Sequence, residues 1–282
     1  MSDGPEGLLL IDKIKDVSSH DVVDMVRRAL GIRKVGHSGT LDPMATGLLI
    51  LGVGRATRLL RFLSGFPKTY LGRAQLGVET TTLDADGGVT RESPVTASEA
   101  RVRDAMRSLV GHSMQVPPAF SAVKVGGRKL YEAARRGEQL EAAPRPIRVD
   151  RFELLGFDGR DVDFEVTCSS GTYVRVLAAD VGALLACGAH LTALRRLRIG
   201  PFDVAEAVPP EAPGEPHPIE RAVGHLPRLD LQAEEATAAR HGRVLGPAGI
   251  AGPYAVFDAA SRLVGIYEDD GSTSRPQVIL AE

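Results

Sequence analysis

The 282-residue chain is 43% hydrophobic and 25% charged with a formal net charge of −2, a composition that excludes a largely disordered or fibrous protein. No run approaches the roughly 18 apolar residues of a spanning helix, and the amino terminus lacks the basic and apolar stretches of a secretory signal. The two cysteines, Cys168 and Cys187, lie outside any CxxC or ligand cluster, so the expectation is a cytoplasmic protein with two buried thiols and no metal.

In chain order, Leu8–Asp12 has the apolar character of a strand. Ser18, with Asp21 three positions on, reads as the start of a helix closed by a capping box. Val22, Val23, Val26, Ala29 and Leu30 share its inner face, and Gly31 stops it. Strands are expected at 47–53, 68–78, 119–125, 147–155 and 162–167, with the Asp84-Ala-Asp-Gly-Gly88 and Asp158-Gly159 clusters as turns. A second helix is expected from Ser98 to Val110, with Val102, Ala105, Met106 and Leu109 inward. A third is expected over 173–185. Long strands interrupted by few helices predict an α+β fold on a mixed, largely antiparallel sheet.

Five prolines crowd residues 205–218, which marks an extended connector. Beyond it a short helix (233–240) and strands at 254–258, 262–267 and 277–280 suit a small β-rich domain. The expected division is 1–227 and 228–282. Charge is divided as well: residues 201–282 hold 6 Lys/Arg against 13 Asp/Glu, whereas 121–151 hold 8 against 4. A localised basic surface fits a polyanionic partner despite the acidic total; a solvated face would give the same count.

The densest chemical segment is Gly36-His-Ser-Gly-Thr-Leu-Asp-Pro-Met-Ala-Thr-Gly47, with three glycines, a histidine and an isolated carboxylate. Asp before Pro is by itself a helix N-cap pair, but Gly47 leaves room for barely one turn. A glycine-held loop at a sheet end is a common home for a catalytic group.

The string GHSGTLDPMATGLLILGVGRATRLL resembles the signature of the TruB family, the tRNA pseudouridine(55) synthases. Four further segments match in the family's order: Asp12-Lys13 with Ser18-Ser-His-Asp-Val-Val23; Lys68-Thr-Tyr70; Ser169-Ser-Gly-Thr-Tyr-Val-Arg175; and Leu194-Arg-Arg-Leu-Arg-Ile-Gly-Pro-Phe202. The resemblance implies a pseudouridine-synthase catalytic domain, a PUA-like carboxy-terminal RNA-binding domain, and isomerisation of uridine 55 in the tRNA T-loop without metal or organic cofactor. It makes Asp42 the essential carboxylate, Arg175 the guanidinium that aims it and lowers its pKa, and Tyr70 the ring that stacks on the flipped base. It makes His37 the side chain that enters the RNA loop, Leu194 part of the base pocket, and Lys13 a support of the pocket or the RNA backbone.

The stretch from Ser121 to Arg136 resembles the family's mobile insertion that clamps the T-arm. Lys124, Arg128, Lys129, Arg135 and Arg136 would contact phosphates, and the glycine pair would act as a hinge. No membrane and no obligate protein partner is implied. The chain departs from the family's usual Lys-Pro-then-Gly, having Ile14, Lys15 and Asp16 after Lys13. Two other readings stay open: an RNA-folding module for which Asp42 is dispensable, and a glycosidic-bond hydrolase, which would normally need a second carboxylate.

Overall fold

The computed structural model describes residues 4–134, 136–138, 140 and 142–280. The apolar run Gly7–Lys13 forms strand β1 and is followed by helix α1, Ser19–Leu30. The Ser18 hydroxyl accepts from the Asp21 N–H at 3.1 Å, and the Asp21 carboxylate accepts from the Ser18 N–H at 2.8 Å. Gly31 ends the helix at φ 67°. Val22, Val23 and Val26 are buried, whereas Ala29 in the last turn is exposed.

There follow β2 (Val35–His37), β3 (Thr46–Val53), α2 (Leu60–Leu63), β4 (Lys68–Leu76), β5 (Val78–Thr80), β6 (Val89–Glu92), α3 (Glu99–Ser108) and β7 (Gly111–Gln115). The strand expected over 68–78 therefore breaks at Gly77, whose φ is 83°. Next come the short strands β8 (Lys124–Val125) and β9 (Arg128–Lys129), α4 (Leu130–Ala134), β10 (Arg145–Phe157), β11 (Asp161–Cys168), α5 (Val174–Leu184), β12 (Ala189–Ile199) and β13 (Phe202–Asp203). The strand expected over 119–125 is thus reduced to two residues; the two prolines before it lack ladder donors, and residues 119–121 form bends instead.

The main sheet runs β1-β3-β12-β4-β11-β10-β7, with β2 beside β3 and β13 beside β12. Every pairing in it is antiparallel except β12 with β3, where Arg195 and Arg196 lie opposite Thr46 and Gly47. Helices α3 and α5 cover one face through Val102, Met106, Leu177 and Val181. Helix α1 packs on Leu9, Ile11, Leu49 and Leu51, while Leu8, Leu10, Leu48 and Ile50 face the other way. Burial on both sides explains why β1 and β3 read as unbroken apolar runs, each such leucine contributing roughly 1.5–3 kcal/mol.

The tail consists of β14 (Arg228–Asp230), α6 (Ala233–Arg240), β15 (Pro253–Phe257), β16 (Leu263–Asp269) and β17 (Ser274–Ile279), with the four strands in one sheet. It has its own small core around Tyr254, Val256 and Tyr267, but Ala255, Phe257 and Ile266 join the cluster of Leu8 and Leu48. Arg55, Arg58 and Arg61, three residues apart, donate to the carbonyls of Leu280, Ile279 and Gln277. The proline-rich connector is not a free linker either. Val208 bonds to Leu10 and Asp12, and His217 to Leu8, so it covers the outer edge of β1. Among the described residues no helix is long and apolar enough to cross a membrane.

Candidate active site

Asp42 sits in the loop between β2 and β3, and the chain closes around it from several directions. The Ala45 N–H bonds to the Asp42 carbonyl at 3.0 Å, making a single turn rather than the helix an N-cap would start. The Ser19 hydroxyl meets both backbone groups of Leu41, at 2.9 and 3.2 Å. Lys13 is fully buried, and its ammonium donates to the carbonyls of Ile14 (3.0 Å), Pro43 (3.0 Å) and Ala45 (2.6 Å). Its three protons are thus engaged within the protein, on the loop that carries Asp42 and on its own neighbour. Burial brings that ammonium down to about 8.

Asp16, where the family has glycine, adopts the left-handed conformation at φ 64° and donates its N–H to Pro43 at 2.9 Å. Aspartate tolerates this region better than most residues, so the departure keeps the turn.

Arg196 completes the clasp. It is 1% exposed, and its guanidinium donates to the carbonyls of Leu48 (2.7 Å), Thr40 (3.4 Å) and Gly39 (3.4 Å). In the β4–β12 register it stands opposite Tyr70, and Leu194 stands opposite Gly72. Side chains on paired residues share a face, so Tyr70, Leu194 and Arg196 line the same cleft. That cleft, about 370 Å³, is bounded by Ser38–Asp42, Ser64, Lys68, Tyr70, Ala122, Ser170–Val174, Leu194 and Arg196. Three expected site residues, Asp42, Tyr70 and Leu194, are thus brought together.

Arg175, in the first turn of α5, approaches from behind the wall. It is 4% exposed. Its Nη2 lies 3.5 Å from the Asp42 carboxylate and donates to the Phe120 carbonyl at 2.7 Å. Its Nη1 meets Asp84 at 3.1 Å. Asp84 is 3% exposed and also accepts from the Thr82 hydroxyl and the Asp86 N–H. A second carboxylate therefore does accompany Asp42 in space, contrary to the sequence reading, but it is absent from the cleft lining and fully engaged in holding Arg175. Sequence reasoning took Asp84 only as a turn residue.

Electrostatically the site differs from expectation in one respect. Burial pushes the Asp42 carboxyl up, and this outweighs the opposing pull of Arg175; Asp84 pushes it further up. One third of the Asp42 side chain is nonetheless exposed, so it is reachable from the cleft. Burial also raises the Tyr70 phenol, against the Arg196 guanidinium beside it, so Tyr70 keeps its proton at neutral pH. His37 ends β2, next to the cleft-lining Ser38 but outside the lining itself. It is half-buried, its Nδ1 has no hydrogen-bond partner among the described residues, and burial lowers its pKa, which keeps the ring neutral.

In the basic insertion, Gly126 and Gly127 have φ of 57° and 82° and join the paired residues Val125 and Arg128. They form a two-residue hairpin turn of the kind that needs positive φ twice. Arg128 and Arg136 both pair with Glu138, at 2.7 and 3.1 Å, and Lys129 lies 3.7 Å from Glu132. Lys124 is exposed; Arg135 lies outside the described residues.

Comparison with known proteins matches three regions of the chain: "TruB family pseudouridylate synthase (N terminal domain)" over residues 27–174, "tRNA pseudouridylate synthase B C-terminal domain" over 175–211, and "tRNA Pseudouridine synthase II, C terminal" over 226–281. A Mycobacterium sp. (strain KMS) protein named tRNA pseudouridine synthase B is 46% identical, covering 97% of this chain and 96% of its own. One of the same name from Aromatoleum aromaticum is 45% identical, covering 95% and 90%. Among solved structures, one described as a Cbf5-Nop10-Gar1 complex superimposes with a TM-score of 0.74 at 26% identity, covering 97% of this chain and 84% of that one.

Proposed function

The chain belongs to the TruB family of pseudouridylate synthases, and from that premise we propose that its cleft isomerises uridine 55 in the T-loop of tRNA. The observation that carries the reading is the placement of the Asp42 carboxylate: partly exposed in a cleft, faced by a tyrosine ring and a leucine, and backed by a buried guanidinium.

Forming pseudouridine breaks the N1–C1′ bond, turns the base and joins C5 to C1′; the C5 proton leaves and N1 gains one, so composition and oxidation state are unchanged. Asp42, ionised, meets C1′ of the extruded nucleotide, as nucleophile or as the counter-charge of an oxocarbenium-like sugar. Arg175 aims it, and Asp84 and the Phe120 carbonyl hold Arg175. Tyr70 supplies the stacking face that replaces what the base loses on leaving its helix, and Leu194 closes the apolar side of the pocket. Because the phenol stays protonated, Tyr70 serves as a platform or proton donor at neutral pH, not as a base.

His37, neutral and at the rim, fills space vacated by flipped nucleotides. Lys124, Arg128, Lys129, Arg135 and Arg136 contact phosphates of the T-arm; Arg128 and Arg136 exchange Glu138 for phosphate on binding. The division at 227/228 separates a catalytic domain from a PUA-like RNA-binding domain, and the enzyme works in the cytoplasm without an obligate protein partner, metal or organic cofactor. Incubating the purified protein with unmodified tRNA transcript, followed by nucleotide mapping, tests this. Pseudouridine at position 55 is expected; free uracil would point to hydrolysis, and an unmodified transcript would overturn the reading.

A further inference from the structure

Lys68 opens the Lys68-Thr-Tyr70 segment but has no part in the chemistry above. It is 7% exposed, lines the cleft, and points to the same side of β4 as Tyr70, two residues away. Its ammonium donates to the carbonyls of Ser64 (3.2 Å) and Phe66 (2.9 Å), which leaves one of three protons uncommitted among the described residues. The Ser170 hydroxyl converges on the same Ser64 carbonyl at 2.6 Å.

No carboxylate among the described residues pairs with Lys68; the charged group that acts on it most is the Arg196 guanidinium, which donates to three carbonyls and to the Tyr70 phenol. Two buried cations line this cleft with no carboxylate paired to either among the described residues, while Asp42 is paired with Arg175. Such an arrangement is costly unless an anion arrives. Burial accordingly lowers the Lys68 ammonium to about 8. The part of the cleft lining that carries the Ser64 carbonyl partner of Lys68 includes the small residues Ser64, Ser170, Gly171 and Thr172. They suit a compact oxyanion better than a base, which the Tyr70 and Leu194 end accommodates.

We propose that Lys68 is a substrate-positioning residue whose uncommitted ammonium proton seats an RNA phosphate flanking the extruded uridine. The inference rests on the cleft's being the uridine site. It differs from the role of the insertion, whose described cations lie on the outer surface; Lys68 would hold the strand within the pocket. The competing role is purely local, with Lys68 tying down the chain end after α2.

The test uses Lys68→Gln and Lys68→Arg in the full-length protein. Binding is read in an Asp42→Asn background, and turnover with Asp42 intact. For Lys68→Gln, RNA affinity should fall by about tenfold, with kcat within about threefold of the unsubstituted protein, and the salt dependence of binding should be shallower by roughly 0.7–0.9 log units per log unit of salt, one phosphate contact fewer. Lys68→Arg should restore most of the affinity. RNA with a neutral methylphosphonate at a linkage flanking the target uridine should weaken the unsubstituted protein comparably and leave Lys68→Gln unaffected. A loss confined to kcat, an unchanged salt slope, or equal penalties from the methylphosphonate in both proteins would overturn the proposal. Absence of product from the unsubstituted protein would instead defeat the reading of the cleft on which it rests.

Discussion

The carboxylate of Asp42 stands 3.5 Å from Nη2 of Arg175, a looser contact than the 3.1 Å at which Nη1 of the same guanidinium meets Asp84. The cation is anchored by the buried acid and offered to the accessible one. This asymmetry leaves Asp42 partly unsatisfied before substrate arrives, as a group meant to meet developing positive charge should be.

The pH dependence follows from that environment. Asp42 must be ionised to act, and burial raises its carboxyl, so kcat should rise with pH along an acid limb centred above the usual carboxylate range. The effect on stability has the opposite sign. A folded-state pKa above the unfolded one means the native protein holds that proton more tightly, so this group stabilises the fold as pH falls through the raised value and costs stability above it. Asp42→Asn should therefore melt no lower than the unsubstituted protein at neutral pH; a clearly lower melting temperature would contradict the burial argument.

Asp84→Asn separates two effects. Removing the charge takes away one push that raises Asp42, so the acid limb should move to lower pH. Arg175 loses its closest carboxylate, and kcat should fall by about tenfold to a hundredfold as the guanidinium loses its aim. Pre-steady-state turnover across pH reads both; an unchanged kcat would show that Asp84 does not position Arg175.

Gly47→Ala should be severely destabilising. A Cβ there would lie 2.3 Å from the Arg196 carbonyl oxygen and 2.8 Å from its nitrogen, at a φ of 97°. The parallel contact of β3 and β12 cannot open without displacing Arg196 from the Asp42 loop. A loss of about 3 kcal/mol or more is expected in denaturant unfolding.

Asp16→Gly should act the other way. Its φ of 64° costs aspartate something and glycine nothing, while glycine adds unfolded-state entropy. A net gain of about 0.5 kcal/mol is expected; a loss would show that the Asp16 side chain, and not only its backbone, supports the turn.

Much of this was legible in the chain. The Ser18–Asp21 capping box, the α3 face and the tail strands follow from local periodicity, and Asp42, Tyr70, Arg175 and Leu194 from the family segments. What escaped is tertiary. Arginines at 195, 196 and 198 hid β12 as a central strand, although period-two spacing places Leu194 and Arg196 on one face. Asp84 lay among turn residues, and nothing local says that its backbone bridges to Leu191 and buries it. Lys13 was taken as a possible RNA contact because a lysine reads as exposed until its carbonyl partners, some thirty residues away, are known. The glycines at 126 and 127 read as flexible; the pairing of Val125 with Arg128 that makes them a hairpin turn is not visible in the local sequence.

The most direct measurement compares Asp42→Asn with the unsubstituted protein on one tRNA transcript, reading binding and pseudouridine together. Affinity should stay within a few-fold while product formation falls by at least about a thousandfold. Undiminished product from the Asn variant would show that the chemistry is done elsewhere.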